Sequence, residues 1–227
     1  MKIELLEKKH IQEVTDLIAT AFVQNEPLVS YIQVPLFSYK KICEEMVDRA
    51  IQQKMSWVAM KDDEMVAVIL CRKAERPLID KQTAIQICPP VAPILQLLAE
   101  LEEKSAEFLQ LPKRNLIYFD MGACHPKWMG KGIMSAINML ISHALTLMAE
   151  NQSNIITACT NKISNKLWTR QYQAIQLNEI VYDSFCYQDN YPFAGITSST
   201  AAQLLYMPTA HIIEGLAKQK RRSHTRI

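Results

Sequence analysis

The sequence predicts an α/β protein in which helices flank one mixed β-sheet. Three observations carry this. Short apolar runs alternate with segments whose apolar residues recur at helical spacing. Two of the runs, Trp57–Met60 and Met65–Leu70, flank the polar Lys61-Asp62-Asp63-Glu64 and read as a hairpin. Two others, Leu116–Phe119 and Asn154–Cys159, lie either side of a long amphipathic helix, which makes a βαβ unit with parallel strands.

Taken in order, Ile3–Leu6 is a short strand candidate. From His10, apolar residues at Ile11, Val14, Leu17, Ile18 and Phe22 give a helical face. That helix should fail at Asn25-Glu26-Pro27, because the residue before a proline is pushed out of the helical region. Cys43, Met46, Val47 and Ala50 mark a second helix. The run Met65–Leu70 is apolar on both faces and so predicts a central strand. Between Arg72 and Asn115, Cys88-Pro89-Pro90 opens a helical pattern that turns charged at Glu100–Lys104. It reads as a helical insertion over residues 74–114, after the third strand, covering one edge of the sheet. The helix after Gly132 keeps Ile137, Leu140, Ile141, Ala144, Leu145 and Met148 on one side. Thr160-Asn161 caps a further helix through Arg170. Ala174–Tyr187 and Ala201–Met207 close the sheet, for about seven strands in one domain spanning residues 1–208. Residues 209–227 read as a polar, basic and loose tail.

Composition narrows the class. Apolar residues make up 49% and charged residues 21%, as in an ordinary soluble globular protein. The net charge of +2 does not suit nucleic acid. His211–Ile227 holds five Lys or Arg and one Glu, so the rest of the chain is slightly acidic. Six scattered cysteines show no metal-ligand spacing and read as free thiols in a reducing compartment. No apolar run is long enough to span a membrane, and Met-Lys-Ile-Glu does not open a signal peptide. A cytoplasmic protein, monomer or homodimer, is expected.

The most informative stretch is Leu116–Met148. It runs strand, His125-Pro126, Gly130-Lys131-Gly132, helix. The chain has only five glycines, and two of them, Gly130 and Gly132, stand in this loop with one residue between them. A glycine loop opening a helix leaves backbone N–H groups free at the positive end of the helix dipole. That is an anion site, most often for phosphate.

This order of elements and motifs resembles the GNAT acetyltransferase superfamily. Met129-Gly130-Lys131-Gly132-Ile133-Met134 matches the family signature at Gly130, Gly132 and Ile133. Met129 stands where the family has Arg or Gln, and Met134 where it has a small residue. Two further segments resemble the arylalkylamine N-acetyltransferase-like branch. Ala21-Phe22-Val23-Gln24-Asn25-Glu26-Pro27-Leu28 resembles its Phe-Phe-x-Asp-Glu-Pro-Leu motif, and Thr160–Leu167 resembles its polar helix start. The resemblance implies a GNAT-like fold using acetyl-CoA and no metal, with a small amine as the partner, arylalkylamine or polyamine. It implies that Met129, Gly130, Lys131, Gly132, Ile133 and Met134 hold the CoA pyrophosphate, with charge added by Lys127 and Lys131. Gly122, Ala123 and Cys124 would offer backbone N–H groups to the thioester carbonyl, and Asn161 would face the cofactor.

Acetylating an amine requires removing a proton from an ammonium whose pKa is roughly 10. It also requires stabilising a developing oxyanion and protonating a thiolate. The resemblance assigns the first task to Glu26, as general base, and Ser164 is the candidate for the last. His125 is a base by residue type, but His-Pro at this point reads better as a turn. Cys124 has no base at readable spacing and is not read as a nucleophile. Trp168 stands where many relatives carry a tyrosine acid, and an indole cannot serve as that acid. Tyr172 is the nearest phenol. Phe22, Tyr31, Phe37 and Tyr39 are candidate linings of the amine pocket. The competing reading is a catalytically degenerate protein of the same fold that acts through protein contacts. A weaker third would use the basic tail on nucleic acid or membrane.

Overall fold

The computed structural model describes residues 1–106, 116–128, 134–151 and 153–224. Seven strands form one sheet: β1 (Lys2–Leu5), β2 (Trp57–Lys61), β3 (Glu64–Lys73), β4 (Leu116–Cys124), β5 (Asn154–Cys159), β6 (Ile175–Val181) and β7 (Ala201–Met207). Their order is β1-β2-β3-β4-β5-β7-β6. Only β4 and β5 pair in parallel, so the sheet is mixed, as the hairpin and the βαβ unit predict. Asp62 and Asp63 make the hairpin turn with positive φ of 52° and 60°. Short polar side chains tolerate that region best.

Helices cover both faces. On one lie α1 (Ile11–Asn25), α2 (Pro27–Tyr31), α3 (Leu36–Gln53), α4 (Lys81–Ile87) and α5 (Ala92–Ala106). On the other lies α6 (Met134–Glu150), whose Leu140, Ala144 and Leu145 are fully buried. β3 is buried from Met65 to Arg72, which confirms it as the central strand. The insertion forms two helices, and α5 lies over the β6 edge of the sheet. It packs against β6 and β7 on the sheet face, where Asn178 donates to the Leu101 carbonyl at 3.0 Å.

Two expectations change. The last long alternating segment stops at Val181; a 3-10 turn, Tyr182–Ser184, and an irregular loop then lead to β7. Residues 209–224 are not a loose tail but a helix, α8 (Thr209–His224), lying on α6. Ile212 is fully buried there, and Thr209 ties the helix start to the sheet through Ser153 and Asn154.

The feature that positions the site is a split in the sheet. β4 and β5 pair only from Leu116 to Tyr118 and from Asn154 to Ile156, although both strands run on. Thr157 closes the ladder by donating its hydroxyl to the Phe119 carbonyl at 2.9 Å. Beyond it the strands diverge, and among the described residues one side of β4 has no strand partner from Asp120 to Cys124.

Candidate active site

Glu26 occupies a corner the sequence enforces. Pro27 holds the residue before it in extended backbone, with φ −78° and ψ 125°. Glu26 therefore ends α1, its N–H bonding the Phe22 carbonyl at 2.9 Å, and caps α2. Its Oε2 accepts the Val29 N–H at 2.7 Å. The residue is only 8% exposed, and Oε1 has no hydrogen-bond partner among the described residues. Burial raises the carboxyl pKa above its ordinary value, against weaker opposition from Thr160 and the amides of Val29 and Leu28. Of these contacts, only the Val29 amide has hydrogen-bond geometry. Tyr182, itself buried, donates to the Thr160 carbonyl at 2.5 Å and fixes that wall behind the carboxylate.

Glu26 faces a cavity of about 580 Å³ that opens along the split. Gly122, Asn161 and Ser164 line the same cavity, so four of the expected site residues converge from three separate segments. The phase of the β3–β4 ladder orients the β4 amides. His125 N–H bonds the Val66 carbonyl at 2.8 Å, and Ala123 and Met121 stand opposite Val68 and Leu70 in the same register. Antiparallel pairing alternates, so Ala123 points its N–H at β3 while Gly122 and Cys124 point theirs into the split. Ala123, expected to serve with them, is turned away. Asn161 caps α7 (Lys162–Lys166), its Oδ1 accepting from Ile163 and Ser164 at 3.0 and 2.8 Å. The Ser164 hydroxyl donates to the Asn161 carbonyl at 3.0 Å.

The remaining expected residues divide. Met129, Gly130, Lys131, Gly132 and Ile133 lie outside the described residues; Met134 begins α6. Lys127, expected to add charge near the loop, is engaged by Glu64 at 2.6 Å. His125 is an exposed turn residue whose Nδ1 accepts the Lys127 N–H at 3.2 Å. The Cys124 thiol pKa is pushed up to about 11 by burial, which disfavours a nucleophile. Trp168 lines the cavity and packs edge-on against Phe119 at 5.1 Å. Tyr172 is fully buried on the α6 side, its hydroxyl near Ser142, and does not reach the cavity. Phe22 and Tyr39 line the cavity, stacked at 6.4 Å; Tyr31 and Phe37 are exposed and do not.

The structure adds a group that the sequence reading missed. Arg72 on β3, Tyr118 and Asp120 on β4, and Glu102 on α5 form a charged cluster on the cavity wall. The available signal was an aspartate inside the apolar run Leu116–Cys124 and an arginine two residues past the run Met65–Leu70. All six cysteines are free, and no metal-binding cluster occurs among the described residues.

Comparison with solved structures decides the fold. The C-terminal condensation domain of Ebony, in complex with beta-alanyl-dopamine, superposes with a TM-score of 0.77 at 19% identity, covering 91% of this chain and 98% of that one. Arylalkylamine N-acetyltransferase 2 of Aedes aegypti gives 0.73 at 15%, covering 92% and 98%. The fold is that of the GNAT acetyltransferases, in the arylalkylamine N-acetyltransferase-like form. A polyamine N-acetyltransferase of Drosophila melanogaster, which forms N-acetylagmatine, gives 0.65 at 12%, covering 91% and 99%. No family model and no curated protein matches the sequence. Among the described residues of this GNAT fold, no helix is long and apolar enough to cross a membrane.

Proposed function

We propose that the protein is an acetyl-CoA-dependent N-acetyltransferase that acts on a small primary amine by direct attack in a ternary complex. The observation that carries this reading is Glu26: a buried carboxylate with one oxygen unpartnered, facing the cavity into which the split β4 opens. Acetyl-CoA supplies the activated acetyl thioester. The split fits its acyl end, since the Gly122 and Cys124 amides are turned toward the gap. Gly130 to Met134 would hold its pyrophosphate.

Each residue then has a task. Glu26 takes a proton from the incoming ammonium, directly or through a water, and its raised pKa brings it closer to the amine's. The free amine attacks the acetyl carbon. The Gly122 and Cys124 amides hold the carbonyl oxygen as negative charge grows on it. The carbon–sulfur bond breaks, the Ser164 hydroxyl passes a proton to the departing thiolate, and the second proton released by the nitrogen as it becomes an amide returns to Ser164 through water. Ser164 takes this role because Trp168 cannot donate an acidic proton and Tyr172 is out of reach. Free cysteines accord with the same proposal of a cytoplasmic enzyme, monomer or homodimer.

A melting experiment with acetyl-CoA tests the proposal. A saturable rise in Tm is expected, about 2.7 kcal/mol of stabilisation at a hundredfold excess over Kd. No shift at millimolar acetyl-CoA would support a degenerate binding protein instead.

A further inference from the structure

The charged cluster opposite Glu26 has an excess of one sign. Arg72 is held on every side: Nε lies 2.8 Å from Asp120, Nη1 donates to the Ala74 carbonyl at 2.8 Å, and Nη2 lies 3.8 Å from Glu102. Its guanidinium covers the Tyr118 ring at 4.2 Å. One cation thus faces two carboxylates. Of the other described charged residues lining the cavity, Lys81 is a cation held by the neutral Gln96, and Asp80 is committed to capping α4 and to Arg49. Glu26, Asp120 and Glu102 thus stand against two cations, Arg72 and Lys81, an excess of one negative charge, and only Arg72 is ion-paired with any of the three.

Asp120 is not a settled partner in its ion pair. Its side chain is 16% exposed, and its Oδ2, though close to Arg72, receives no aligned hydrogen bond. Burial pushes its pKa up to about 6 in spite of the arginine. Both features leave room for a second donor. Asp120 is the extra residue of β4 at the register shift with β3, two residues before Gly122, a separation of roughly 7 Å along a strand.

We propose that Asp120, with Glu102, forms a cation subsite that binds a second ammonium of the substrate, so that the cavity selects short diamines over monoamines. This rests on the acetyltransferase reading for the reacting end, where Glu26 receives the first ammonium. The Arg72–Tyr118 stack keeps the two carboxylates apart and fixed. Glu102, with its side chain 44% exposed, is the solvent-facing member.

The test compares diaminobutane with pentylamine, which has similar length and one charge. Wild type is expected to favour the diamine at least tenfold in kcat/KM, mostly through KM. Asp120→Asn should bring the ratio toward one. Glu102→Gln, at an exposed position that does not threaten folding, should lower it by about half as much on a logarithmic scale. A ratio near one in the wild type, or one unchanged in both variants, would overturn the subsite while leaving the acetyltransferase reading intact. If neither amine is acetylated, that reading fails first. Calorimetry of the two amines then decides the subsite alone, since a diamine that binds no tighter than pentylamine contradicts it.

Discussion

Two carboxylates, a buried Glu26 and a half-buried Asp120, face one cavity, and they are maintained by opposite means. Glu26 comes from a corner between two helices and has no cation beside it; one backbone amide and the Thr160 wall are its support. Asp120 comes from the middle of a strand and is paired with an arginine that is itself pinned by carbonyls and a ring. Burial raises both pKa values. The difference lies in what surrounds the charge. A carboxylate without a cation accepts a proton readily and suits a base. A carboxylate beside a fixed arginine keeps its charge near neutral pH and suits binding.

Substitutions break this contrast in order of size. Glu26→Gln keeps the cap, since an amide oxygen can accept the Val29 N–H, but removes the proton acceptor. kcat/KM is expected to fall about 100-fold or more in steady-state assays. Arg72→Met leaves the half-buried Asp120 without its cation. That should cost about 3 kcal/mol, a fall in Tm of about 6–12 °C for a chain of this size. The deficit should shrink as pH falls through about 6 and Asp120 takes a proton. Activity and stability therefore separate between the two ends.

Glu26 should show the reverse in stability. Its folded pKa lies above the unfolded one, so its ionised form costs stability at pH 7. The cost fades as pH falls through the folded value and is gone below about 4, the unfolded range. Glu26→Gln is therefore expected to melt higher than wild type at pH 7 and to lose that advantage at pH 4 in calorimetric scans. Ser164→Ala is the smallest effect, a loss of about threefold in kcat, because water can also protonate a thiolate.

The same contrast explains what was legible in the sequence. The corner at Glu26 was visible because its surroundings are local: an apolar helix, a proline and a following apolar turn fix it within a few residues, while the role of its carboxylate was implied only by the family resemblance. The seven strands were visible because their runs are short, apolar and separated by turn residues. The Arg72–Asp120 pair was not, since its partners lie on different strands and meet across a register shift at Leu70/Cys71. The alternation that turns Ala123 away while Gly122 and Cys124 face the split needs the ladder's phase, which no residue type encodes. The final helix was misread from composition. Its charge hid the spacing of Ile212 and Leu216, four residues apart, which seats it against α6.

The most direct test is the pH profile of amine acetylation in wild type and Glu26→Gln between about pH 6 and 10, across the amine's own titration. The account predicts a wild-type kcat/KM whose rising limb lies above the usual carboxylate range, and a variant that is deeply impaired at pH 7 and recovers toward pH 10 as free amine accumulates. A Glu26→Gln protein that matches the wild type from pH 7 to 9 would contradict it.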